Sequence, residues 1–186
     1  MIPIHTLFGA LLVVFALIGS LRGWAKEILV TFSVILALFV EHVLLAFLPP
    51  VAGLFQNMAP KSQFYARTIL LVVFSMFGYA SPTIVAQLGS RVARERLRDF
   101  MLGFFLGLIN GFLIVGTILS FLHSANYGIA PDQPGGTGIG EIVPPAPDTT
   151  SANLITFLPP VLVMKSNVVL YIAVAVAFMF VIVVFI

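Results

Sequence analysis

Few residues in this chain have the types and spacing that chemistry requires. Glu41 and His42 are adjacent inside a long apolar run. An ionisable pair within a membrane span is by default a candidate substrate or proton site. The plainer reading has Glu41 reaching for the interface from about two turns inside its helix end. Both readings stand at the level of sequence. A proton relay needs a second carboxylate to pass the proton on, and the reading of the runs places no other acidic residue within a span. His5, His42 and His123 each stand singly near a run boundary. A lone histidine can ligate a haem or chlorophyll-type pigment, which makes His42 or His123 the candidate ligand; an interfacial histidine without a cofactor is the commoner alternative. No histidine pair has metal-ligand spacing, and no Walker, GxSxG, HExxH or paired-carboxylate pattern occurs. The chain is expected to have no catalytic residue, metal or resident cofactor, and not to be an enzyme.

Three further groups have structural readings. In "LRGWAKEIL" (21–29), Arg22, Lys26 and Glu27 crowd a break between two apolar runs. Gly23 suits a helix terminus that needs positive φ. Arg22 at the carbonyl end of one helix and Glu27 at the amide end of the next both match the helix dipoles, and Trp24 is an interfacial anchor. The stretch therefore predicts a tight helical hairpin. In "SRVARERLRDF" (90–100), Arg91, Arg94 and Arg98 share a helix face, with Arg96 nearby and Glu95 placed to pair with Arg91 and Arg98. This cluster reads as a topology anchor on anionic headgroups, with a docking surface for a cytoplasmic partner as the alternative. In "GFFLGLING", Gly103, Gly107 and Gly111 form one stripe that lets another helix approach, and Asn110 beside it needs an interhelical hydrogen bond or a polar cavity.

The elements that must position these residues follow from composition. Of 186 residues, 60% are hydrophobic and 9% charged, against roughly 45–50% and 25% in soluble domains. Lipid is therefore the expected solvent. A net charge of +2 provides no basic face for nucleic acid. The absence of cysteine excludes disulfides and thiolate chemistry. The apolar runs are Ile4–Leu21, Ile28–Leu48, Phe64–Leu88 with a kink expected at Pro82, Phe100–Leu122 and Val168–Ile186. The first has no basic residue before it and is expected to remain as a helix rather than be cleaved as a signal peptide. The predicted fold is an all-α, polytopic membrane bundle of five (alternatively four) spanning helices, plus a short interfacial or re-entrant segment broken by Pro159–Pro160. Residues 1–123 are expected to form a four-helix core, 124–153 a flexible Gly/Pro-rich extracytoplasmic loop, and 154–186 the Pro-broken segment and last helix. Six of the nine basic residues flank runs one to two and three to four, which places those loops in the cytoplasm and the N-terminus outside.

The order of motifs resembles the colicin V production protein (CvpA) family. Arg22, Gly23 and Glu27 match its "RGxxxE" hairpin, and Asp99, Gly103, Gly107 and Gly111 match its lead into the fourth helix. "SANLITFLPP" (151–160) is similar to its Ser…Pro segment. The resemblance covers roughly residues 1–160. It implies a bacterial inner-membrane protein linked to toxin production or export and to envelope homeostasis, with membrane lipids and a homo-oligomer or other membrane subunits as partners. It also implies basic residues where this chain has Phe100 and Asn110, and the last run looks like an addition to a four-helix plan. Alternative functions are an accessory subunit of a respiratory or photosynthetic complex, or a small transporter using Glu41, His42 and Asn110.

Overall fold

A computed structural model describes residues 3–80, 96–129, 138–139, 142, 144–164 and 167–185. The expected kink at Pro82, together with Arg91, Arg94 and most of the Gly/Pro loop, lies outside the described residues. Among the described residues there is no strand. The helices are α1 (Ile4–Arg22), α2 (Trp24–Phe47), α3 (Pro49–Gln56), α4 (Pro60–Ala80), α5 (Arg96–Ser124), α6 (Thr150–Ile155), α7 (Pro159–Met164) and α8 (Asn167–Phe185). Of these, α1, α2, α4 and α5 are long and apolar enough to cross a membrane. The last run is helical in α8 and contains no charged residue.

Exposure agrees with a lipid solvent. Val13, Leu17, Ile69, Met76 and Met179 lie on the outside of the bundle, a distribution that water would not tolerate over such contiguous surfaces. The core is formed by Val30, Val34, Ala37 and Leu38 of α2, Phe64 and Leu71 of α4, and Ile114, Phe121 and Leu122 of α5, with Leu170 and Val174 of α8 joining them.

Several boundaries differ from the sequence reading. The charged stretch is not a hinge of several residues. Helix α1 runs through Arg22 and α2 starts at Trp24, so Gly23 alone makes the break, at φ 85°. Its amide donates to Gly19 O at 2.9 Å. A Cβ there would be strained by φ and would also lie 2.8 Å from the Asp99 carboxylate. Asp99 Oδ1 accepts from Trp24 N at 3.0 Å, so a residue of α5 caps the start of α2. The hairpin is not tight either: α1 packs chiefly along α5, not against α2. Pro49–Pro50 ends α2 but also opens α3, because proline is tolerated in the first helical turn. The segment expected to be loop over 124–153 holds a 3-10 turn at Asn126–Gly128, with Tyr127 and Gly128 buried, and the start of α6. The Pro-broken segment is packed into the bundle, with Leu158 and Pro159 fully buried and Pro159 seated against Gly116.

The α1–α5 interface is set by glycine. A Cβ on Gly103 would collide with Gly19 O, and one on Gly107 with Phe15 O; one on Gly19 would lie 2.6 Å from Gly107 Cα. The two backbones are thus in direct contact, where any side chain would force them apart. Gly9 of α1, by contrast, faces open space. Gly107→Leu is expected to destabilise detergent-purified protein by about 1–3 kcal/mol or more through overpacking. Gly9→Ala is expected to be neutral or stabilising by up to about 1 kcal/mol. Thermal melting of the two variants checks the contrast.

Candidate functional site

Helix α2 presents Glu27, Thr31, Val34, Leu38 and Glu41 at alternating steps of four and three, hence on one face. That face is turned into the bundle, so both carboxylates are buried, Glu27 at 0% exposure and Glu41 at 4%. They are fourteen positions apart, about 21 Å along the helix. Each is met by an arginine from another helix, and packed apolar side chains lie between the two pairs.

The Glu27 site joins four helices. Arg22 Nε of α1 lies 2.9 Å from Glu27 Oε1. Asn110 Nδ2 of α5 donates to Glu27 Oε2 at 2.8 Å and to Glu27 O at 2.9 Å. Thr31 Oγ1 donates to Asn110 Oδ1 at 2.7 Å, which fixes the amide's orientation. Arg22 also stacks over the Tyr79 ring of α4 at 4.3 Å and reaches Tyr79 O at 3.5 Å. Glu27 Oε2 is thus hydrogen-bonded and Oε1 ion-paired, which compensates a charge held away from water. Asn110, expected beside the glycine stripe, is fully buried at the centre of this cluster. The resemblance implies a base where Asn110 stands; here Arg22 supplies the positive charge and Asn110 a neutral donor.

The Glu41 site joins α2 and α4. Arg67 Nε lies 3.0 Å from Glu41 Oε1, and its guanidinium stacks over Phe55 at 4.7 Å and Phe121 at 5.5 Å. The pair borders a cleft of about 230 Å³ between α2, α3 and α4. His42, next to Glu41 in sequence, faces elsewhere: its ring is edge-on to Tyr171 of α8, with Nε2 3.5 Å from the hydroxyl.

The structure thus brings together Arg22, Gly23, Trp24, Glu27, Gly103, Gly107 and Asn110, and sets Glu41 and His42 apart from them. Gly111 packs against Phe15. Lys26 is exposed and takes no part in the Glu27 contacts, and Arg98 is exposed beside Asp99. Arg96 opens α5. Two expectations change. Glu27 is not a boundary residue matched to a dipole alone but an ion-paired group inside a helix long enough to span, so a second buried carboxylate exists. Glu41 is not snorkelling toward the interface but paired inward. Sequence reasoning missed Arg67, Thr31 and Tyr79. Arg67 carried a signal, since it lies inside the third apolar run; Thr31 and Tyr79 carried none.

The remaining histidines have protein contacts as well. His123 is edge-on to Tyr127, with Nδ1 3.4 Å from its hydroxyl, and burial pushes the Tyr127 phenol above its ordinary pKa. His5 Nδ1 lies 2.9 Å from Ser151 Oγ, joining α1 to α6. Among the described residues no three His, Cys, Asp or Glu side chains gather as a metal site.

The family model described as colicin V production protein matches residues 4–133. No curated protein and no solved structure matches the chain. The Glu27 site generates a stability prediction. Arg22→Met leaves a buried carboxylate without its cation and is expected to cost about 3 kcal/mol, the low end for a broken buried pair because Arg22 is partly exposed. Arg22→Met with Glu27→Met is expected to recover most of that loss. Melting curves of the single and double variants measure the difference.

Proposed function

The chain belongs to the colicin V production protein family, and from that premise we propose that it is a non-enzymatic helical scaffold of the bacterial cytoplasmic membrane that serves toxin production or export and envelope maintenance. The observation that supports a scaffold is the Glu27 site. Its carboxylate, amide and guanidinium hold α1, α2, α4 and α5 to one another, and Glu27 itself is fully buried. A group so enclosed is suited to fixing helix positions, not to turning over a substrate. The scaffold acts as a homo-oligomer or with other membrane subunits, through the apolar outer faces that α4 and α8 present.

Orientation belongs to the same reading. Trp24 and Asp99 meet at one end of the bundle. Glu41 and Arg67, His5 and Ser151, and His42 and Tyr171 meet at the other. Basic residues concentrate at the first end, which we place in the cytoplasm. The N-terminus and the Gly/Pro-rich segment then lie outside. A reporter fused at residue 135 is expected to read as extracytoplasmic, and neutralising Lys26, Arg91 and Arg94 together is expected to lower that fraction. A cytoplasmic reading for the unaltered protein would reverse the assignment.

The functional test is deletion of the chain from a strain that makes a colicin V-type peptide toxin. Toxin in the medium is expected to fall and detergent sensitivity to rise, with both restored by the wild-type chain. Unchanged export and unchanged sensitivity would refute the reading. Stoichiometric co-purification with a respiratory or photosynthetic complex would replace it with the accessory-subunit alternative.

A further inference from the structure

The cleft beside the Glu41–Arg67 pair has walls that specify an occupant. It lies between the last turns of α2 (Leu44, Leu45), the short helix α3 (Leu54, Phe55) and the second turn of α4 (Ala66, Arg67). Its volume of about 230 Å³ equals roughly eight waters in the liquid. Water is a poor filling for it, because apart from the Glu41–Arg67 end its walls are apolar and offer no hydrogen bonds. The one polar feature is the ion pair, and its inner atoms, Glu41 Oε1 and Arg67 Nε, lie 3.0 Å apart.

Position decides what replaces water. Helix α2 has 24 residues, about 36 Å, against a hydrocarbon core of roughly 30 Å. Its last turns therefore lie where the core meets the headgroups. Helix α3 has no buried residue and turns Leu54 outward, and Phe47, Leu48 and Met58 around it are exposed as well. The mouth of the cleft is thus bounded by apolar side chains at the headgroup end of the lipid acyl chains. In the bilayer the hydrocarbon available at that depth is the lipid itself.

We infer that this cleft binds one acyl chain of a membrane phospholipid, held between α2, α3 and α4 and laid over the Glu41–Arg67 pair. The chain fills space that would otherwise cost the lining residues their dispersion contacts. It also keeps water from the ion pair, which strengthens the attraction between the two groups. Arg67 Nε lies against Glu41 Oε1, and the Arg67 side chain keeps 22% of its surface exposed. Its guanidinium can therefore also meet the phosphate or ester oxygens of the same lipid.

Native mass spectrometry of the full chain, extracted in mild detergent with bilayer phospholipid, tests this. The wild-type chain is expected to retain one phospholipid after loosely attached lipid is stripped. Ala66→Trp places bulk in the cleft and is expected to lower retention about tenfold, a loss of roughly 1.4 kcal/mol of binding. Leu45→Trp is a second variant with the same expectation. Val13→Trp adds the same bulk to the outer face of α1 and is expected to retain the lipid. Circular dichroism shows which variants keep their helices. A wild-type chain that holds no phospholipid overturns the inference. So does undiminished retention in a folded cleft variant, or a retained peptide in place of the phospholipid.

Discussion

A carboxylate without access to solvent has to be answered from within the protein, and the arrangement of the central helices follows from how Glu27 is answered. Its charge requires Arg22 from α1, its second oxygen requires Asn110 from α5, and the position of Arg22 is set by Tyr79 of α4. In lipid there is no water to substitute for any of these. Sliding one helix by a turn would leave a charge or an amide unmet in a medium of low dielectric, at a cost of several kcal/mol. The cluster therefore specifies register, a task that apolar packing performs poorly in a solvent as apolar as the core.

The same end of the bundle shows why Gly19, Gly23, Gly103 and Gly107 stand where they do. Arg22 can reach Glu27 only if α1 ends immediately before α2 begins, which the positive φ of Gly23 allows. Asn110 can reach Glu27 only if α5 passes close to that break. It does so because Gly19, Gly103 and Gly107 put two backbones in contact. Asp99, at the start of α5, then caps the first turn of α2. The charge cluster and the glycine stripe, separate features in the sequence, are two halves of one joint. Of the residues that carry the resemblance, Arg22, Gly23, Glu27, Asp99, Gly103 and Gly107 are parts of that joint, Gly111 packs nearby against Phe15, and Asn110 completes the joint with a neutral amide.

The second ion pair is built differently. Glu41 and Arg67 lie at the opposite end, joined across α2 and α4 with aromatic rings around the guanidinium and an apolar cleft alongside. Four helices meet there as well, with Phe55 of α3 and Phe121 of α5 against the guanidinium, but no amide joins them, and α3 closes the space with a helix that buries none of its own residues. One end of the bundle is locked by a dense polar cluster, while the other leaves a concavity. The asymmetry suits a scaffold that holds its own helices at one membrane face and meets lipid at the other.

Composition and run length alone determined that the chain is helical and lives in lipid, because a backbone in hydrocarbon has to satisfy itself within each segment. Short-range pattern likewise determined the break at Gly23, the halt at Pro49–Pro50 and the shared face of Gly103 and Gly107, since each depends only on neighbours along the chain. Which residues meet across the bundle was not available to that reasoning. Glu41 and Arg67 are 26 positions apart, Arg22 and Tyr79 are 57, and Glu27 and Asn110 are 83; no local periodicity relates them. Glu27 illustrates the division most clearly. Its place in the first turn of a helix was legible from the residues around it. Its burial and its charge partner were decided only when α1, α4 and α5 closed over it, because the burial of a charge depends on what surrounds it in space.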